Sequence, residues 1–305
     1  MKKISNLDKI KAASILENQI SLSLNIKLSD SEKHPIRLIQ ASKSLIGLNL
    51  NQPNQKLINF NSSYLESFDG AKYNIDSKFS NKLSSVVSMH DLENAFLNQD
   101  KKLILRTFHE LKLVSSEMHI LEYLIEISLK QTGKSFILIW SLYRSILFLS
   151  DRNTSMFINL ATDIILSDKF EEDSSYEDSI NISDIINYDL SFYSISLYAH
   201  LLEAYSSDLI RSSNVKCLIN SFINKKFNSC KLNKFDVNKS ISYNHILKEG
   251  RVGLLRFIDD KNMVSINVDF ILLLNSIRAL LRFCDNKDYK MICFHFENIL
   301  EDLNV

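Results

Sequence analysis

The sequence predicts a mainly α protein, built as a multi-helix antiparallel bundle or an irregular α-solenoid. Three observations carry that expectation. Only 5 glycines and 2 prolines punctuate 305 residues of which 45% are hydrophobic, so the chain lacks the reversal residues that sheets need every few positions. Apolar residues recur at spacings of three and four along most of the chain. The periodic segments are joined by short polar stretches of the kind that connect antiparallel helices.

In chain order, this periodicity predicts helices near 4–20, 35–47, 89–98, 100–113, 117–131, 134–150, 153–167, 182–210, 213–227, 243–258, 269–284 and 287–303. Ser88 followed by Asp91 has the spacing of a capping box, in which each side chain satisfies the other's backbone N–H. Gly133 sits where a left-handed residue separates two helices of a hairpin. The stretch 49–85 contains Pro53, Gly70 and many Ser and Asn without clean helical spacing. It reads as a linker between an N-terminal helical arm (1–48) and a main α-helical domain (86–305). A second break, 168–178, reads as an acidic surface loop. One internal similarity stands out: SLYRSILFLSDRN at 141–153 aligns without gaps to NSIRALLRFCDNK at 275–287, placing Arg144 opposite Arg278.

Composition narrows the function classes. The 36 basic and 36 acidic side chains balance, which removes the overall basic signature of a dedicated nucleic-acid binder. Cys217, Cys230, Cys284 and Cys293 show no CxxC spacing, so free thiols in a reducing compartment are expected. The most apolar run, 136–149, contains Arg144 and falls short of the roughly 20 residues needed to span a bilayer. Together with an N-terminus lacking an uninterrupted apolar stretch, this predicts a cytoplasmic protein with no transmembrane segment.

The net balance hides two opposed blocks. Residues 135–209 carry three basic and twelve acidic side chains, and residues 210–256 carry ten basic and two acidic. Within the basic block, Lys225, Lys226, Lys231, Lys234, Arg251 and Arg256 alternate with aromatic residues such as Phe222, Phe227 and Tyr243. They are candidates for binding a nucleic acid or an acidic partner, because cations neutralise phosphates and aromatic faces stack bases. The plainer expectation is that this block faces the acidic block within the fold.

Three His–Glu pairs at three-residue spacing, His90–Glu93, His119–Glu122 and His200–Glu203, are candidate metal or acid/base groups, since that spacing places both side chains on one helix face. Carboxylate metal sites in bundles use Glu followed three residues later by His, an order this chain does not contain. Face analysis turns His119, Glu122 and Glu126, and likewise His200 and Glu203, toward solvent. Arg144, in an apolar helix, calls for an acidic partner if buried, and Asp163 on the following helix is a candidate.

No nucleophile elbow, P-loop, HExxH, EF-hand or dinucleotide fingerprint occurs. The resulting expectation is a non-catalytic helical interaction or scaffold protein that binds a protein partner or self-associates. The alternatives are a helix-bundle enzyme whose His–Glu pairs hold a metal or cofactor of unknown kind, and binding of nucleic acid through 210–256.

Overall fold

The computed structural model describes residues 6–27, 32–68, 86–150, 154–171, 180–227, 241–262 and 265–303. They form fourteen α-helices and no strand among the described residues, with an isolated antiparallel bridge between Gln131 and Phe170. The helices are α1 (Asn6–Leu24), α2 (Pro35–Ile46), α3 (Gln55–Glu66), α4 (Met89–Leu97), α5 (Lys101–Val114), α6 (Glu117–Ser128) and α7 (Lys134–Ile146). They continue as α8 (Thr154–Leu166), α9 (Phe192–Ser206), α10 (Ser213–Phe227), α11 (Ile241–Glu249), α12 (Arg256–Asp259), α13 (Val268–Phe283) and α14 (Tyr289–Asp302).

Local chemistry sets many of these starts. His34, Asn54, Asp100, Ser116, Ser191 and Asn267 each accept a backbone N–H from the first turn of the helix they precede, and Pro35 begins α2 where its missing N–H costs nothing. The capping box expected at Ser88 and Asp91 is formed, with the Ser88 N–H donating to Asp91 Oδ2 at 2.7 Å. Gly133 has φ of 104°, and a β-carbon there would lie 2.8 Å from Phe222 Cζ, so only glycine suits both the backbone and the space.

Four helices make the centre. α2 packs against α7 and α13, and α9 packs against the same two, giving a ring in which α7 and α13 flank both α2 and α9. Each is buried on nearly all sides: ten of the twelve residues of α2 and twelve of the sixteen of α13 are buried. Around this ring, α6 and α8 pack on α7, α1 and α3 on α2, α10 on α9 and α14 on α13. The buried apolar side chains form one continuous core from Ala12 to Ile299.

Three expectations need correction. The segment 49–85 is not an irregular linker throughout, because α3 lies inside it: Asn54 caps the helix, and Leu57, Ile58 and Asn61 give it a buried face. Residues 69–85 lie outside the described residues. Residues 1–48 are not set apart from 86–305, since α2 sits in the central ring and α1 reaches α8. The helix expected over 35–47 is α2, whose Gln40 side chain donates to Ser44 Oγ and whose Ser42 hydroxyl donates to Asn61 Oδ1 on α3. The helix expected over 182–210 is two elements, a 3₁₀ turn at Ile182–Asn187 and α9, and 243–258 is likewise broken by a 3₁₀ stretch at Gly250–Leu255.

Candidate functional site: a basic cleft over a buried ionic junction

The polar residues of the four central helices meet in one network. Glu203 on α9 is 3% exposed, and its two carboxylate oxygens take two arginines from opposite flanking helices. Arg144 Nη1 on α7 donates to Oε2 at 2.6 Å, and Arg278 Nη2 on α13 donates to Oε1 at 2.7 Å. The Trp140 indole N–H adds a third bond to Oε2 at 3.0 Å. Burial alone would raise the Glu203 pKa, but Arg144 and Arg278 hold it down at about 2. Two further guanidinium nitrogens are used: Arg278 Nε donates to Asn275 Oδ1 at 2.9 Å and Arg144 Nη2 to Ser44 Oγ at 3.2 Å. The two arginines that the sequence aligned thus converge on a single carboxylate.

Above this junction the charge no longer balances. Lys43 on α2 donates to the Arg144 carbonyl at 3.0 Å, and its ammonium lies 4.7 Å from the centre of the Phe148 ring. Burial, then repulsion from Arg144 and Arg278, outweighs attraction from Glu203 and lowers the Lys43 pKa to about 7. Lys43 lines a cleft of about 680 Å³ together with Lys9, Arg144, Arg251, Arg278 and Arg282, and no acidic side chain is among the cleft's lining residues. Of these cations, Lys9, Arg251 and Arg282 have no carboxylate partner among the described residues. A second cleft of about 490 Å³ adjoins it and shares Lys43, Arg144, Phe148 and Arg282.

The sequence-predicted residues fall elsewhere or play other parts. His200 and Glu203 are not solvent-facing, since they are 4% and 2% exposed, because α9 is enclosed by α7, α10 and α13. The His200 Nδ1–H donates to the Ser196 carbonyl at 2.7 Å, and burial lowers the ring's pKa to about 4, leaving it neutral. Glu122 and Glu126 are also buried rather than exposed, and both serve the start of α10. Glu122 accepts the Ser212 N–H at 3.2 Å, and Glu126 accepts from Ser212 Oγ and Asn214 Nδ2 at 2.8 and 2.7 Å. Carboxylates there satisfy free N–H groups and suit the positive end of the helix dipole. His119 is exposed as expected.

His90 is exposed and 3.9 Å from Glu93, whose carboxylate accepts from Tyr123 at 2.8 Å and from Lys130. Among the described residues no group of three His, Cys, Asp or Glu side chains is arranged to hold a metal ion. Asp163 is not the partner of Arg144, because it pairs with Lys101 on α5 while Glu203 takes the arginine.

The basic block divides in the same way. Lys225 and Lys226 both pair with Glu171 of the acidic block, at 3.1 and 2.6 Å, and Arg256 pairs with Glu249. Lys231 and Lys234 lie outside the described residues. Of the four described candidates, Arg251 alone lines the cleft. Sequence reasoning missed Lys9, Lys43, Arg278 and Arg282, which come from three different helices; the Arg144–Arg278 alignment and an Arg278–Arg282 pair inside an apolar helix were the available signals.

No helix of the described residues is long and apolar enough to cross a membrane. Comparison with known proteins gives no family model that matches the chain, and neither a curated protein nor a solved structure similar to it.

Proposed function

We propose that this chain is a non-catalytic helical interaction protein that recognises an anionic group of its partner in the basic cleft. The observation that carries this reading is the convergence of six cationic side chains from α1, α2, α7, α13 and the 250–255 turn on one cavity with no acid in its lining. Like charges gathered in a concave, partly desolvated site repel one another and focus a positive potential into it. An anion entering the cleft relieves that repulsion without any rearrangement of the junction beneath. The His–Glu pairs, in contrast, either face solvent or are bonded into the scaffold, and none of their residues other than Glu203 lines either cleft.

The test is denaturant unfolding with added sodium pyrophosphate against sodium chloride at matched ionic strength. A ligand at a hundred times its Kd stabilises by about 2.7 kcal/mol. The wild type gains stability with pyrophosphate, and the double variant Arg251→Glu, Arg282→Glu does not. Equal responses from the two proteins would remove the cleft from the proposal. Size-exclusion chromatography of both reports whether self-association uses the same face.

A further inference from the structure

We infer that the anion received by the cleft is a phosphomonoester dianion carried on a short apolar body, with the phosphate among Lys43, Arg144, Arg251, Arg278 and Arg282. This deepens the reading above and rests on it.

Charge sets the valence. Glu203 neutralises one of its two arginines, so the other, together with Lys9, Arg251 and Arg282, leaves an excess of positive charge even with Lys43 neutral. A single carboxylate would offset only part of it, whereas a phosphate dianion presents two charges and three acceptor oxygens to converging guanidinium groups.

The walls set the rest of the ligand. Beyond the cations, the cleft is lined by apolar side chains such as Ala12, Leu16, Ile46, Leu48 and Val252. Ser44 is the one uncharged hydroxyl or amide side chain of the lining, and it is already bonded to Gln40 and Arg144. Sugar hydroxyls would therefore lose water without gaining partners, which disfavours sugar phosphates and nucleotides. Base stacking is also poorly served, because the Phe148 face is occupied by the Lys43 ammonium. A cavity of about 680 Å³ has the size of small-molecule sites rather than of a track for a polymer.

Lys43 supplies a readout that a merely structural cation would not. The groups facing it are Arg144 on α7, Glu203 on α9 and Arg278 on α13, with Lys9, Arg251 and Arg282 around the same cavity and Asp208 in the adjoining cleft that Lys43 also lines. Its pKa, lowered to about 7 by burial and by Arg144 and Arg278, rises when a dianion binds, so binding above neutral pH takes up a proton and weakens as pH climbs.

The experiment is titration calorimetry at constant ionic strength with hexyl phosphate, inorganic phosphate, hexyl sulfate, hexanoate and glucose 6-phosphate. The expected order places hexyl phosphate about tenfold or more ahead of each of the others. Arg282→Gln and Arg251→Gln, both outside the buried junction, each weaken it by about tenfold, the scale of one charge-assisted hydrogen bond. Circular dichroism checks that both remain folded. Lys43→Met removes the alkaline fall in affinity.

Equal binding of hexanoate, hexyl sulfate and hexyl phosphate would overturn the phosphoester while leaving an anion cleft. Tighter binding of glucose 6-phosphate would overturn the apolar body. Binding of none of the five would remove both this inference and the anion reading. Vesicles of phosphatidylcholine with and without phosphatidate distinguish the sources of a phosphomonoester: co-flotation with phosphatidate vesicles, without saturable binding of hexyl phosphate, overturns the soluble ligand in favour of a lipid headgroup.

Discussion

The basic segment 210–256 and the basic cleft hold positive charge in opposite ways. In the first, neighbouring lysines in the sequence meet a carboxylate brought by the fold: Lys225 and Lys226 share Glu171, and Lys226 also lies over the Phe222 ring. In the second, cations far apart in sequence are brought together by the fold, and of these cations the carboxylate beneath them forms ion pairs with Arg144 and Arg278 alone among the described residues. A run of like charge in a sequence is commonly neutralised at home, whereas charge assembled in space without counter-ions stores a potential for a ligand. The contrast is the reason we propose recognition in the second region.

The contrast is broken most severely at Glu203. Replacing it with glutamine leaves two guanidinium groups facing each other in the interior, and removing one partner of such a buried ionic group costs about 3–5 kcal/mol. Urea denaturation of Glu203→Gln should show a loss of that size, largely recovered at high concentrations of an anion that binds the cleft. Glu171→Gln, which removes the corresponding carboxylate of the other region, should not unfold the protein.

Acid attacks the two regions unequally as well. His34 and His200 are buried and neutral, with burial lowering both pKa values from 6.5 to about 4. Their contribution is present in full above the unfolded value and is lost as pH falls from 6.5 toward 4, because the unfolded chain takes up those protons first. Glu203, depressed from 4.5 to about 2, adds a second loss as pH falls from 4.5 through 2. Stability measured against pH should therefore decline in two overlapping stages. His200→Gln should flatten the upper stage alone, and a profile unchanged in that variant would contradict the assignment.

A smaller effect is expected where the basic segment is docked. Gly133 lies against Phe222 on α10, and an alanine there would combine a strained positive φ with a 2.8 Å approach to the ring. Gly133→Ala should cost about 1–3 kcal/mol. It should also loosen α10, read as faster hydrogen exchange along 213–227, while leaving anion binding at the cleft intact.

Much of the fold was legible because helix periodicity and caps are local: the boundaries of α4, α5, α6 and α10 lie within a few residues of those the pattern predicts, and Ser88–Asp91 forms the cap its spacing announces. What misled was the assumption that a polar stripe faces water. Ser196, His200 and Glu203 form such a stripe on α9, but α7 and α13 carry Arg144 and Arg278 on the surfaces that meet it, so the stripe is buried and satisfied. α2 was predicted as a helix but placed in a separate arm, whereas its Arg37 reaches Ser196 Oγ at 2.9 Å across the ring. Complementary polarity on separate helices leaves no trace in the spacing of either one. The cleft was less legible still, since Lys9, Lys43, Arg251 and Arg282 acquire meaning only once five segments meet. The alignment of Arg144 with Arg278, and arginines set within apolar helices, were the sequence signals that pointed at the centre.

Glu171→Gln sharpens the comparison with the smallest expected change in stability. Lys225, Lys226 and Glu171 are each about a quarter exposed, so solvent screens their attraction, and breaking such pairs costs about 1 kcal/mol or less. Its consequence for binding is larger than its consequence for folding, because the substitution removes the carboxylate shared by two adjacent cations on α10. If local neutralisation is what keeps the basic segment from acting as a binding surface, the variant should gain a weak, salt-sensitive affinity for heparin or single-stranded RNA that the wild type lacks. Its affinity for anions at the cleft, set by Lys43, Arg251 and Arg282, should stay the same. Retention on a heparin column, compared with pyrophosphate titration of the same protein, separates the two. Strong retention of the wild type would mean that the lysines of 210–256 are available despite Glu171, and the distinction between the two regions would collapse.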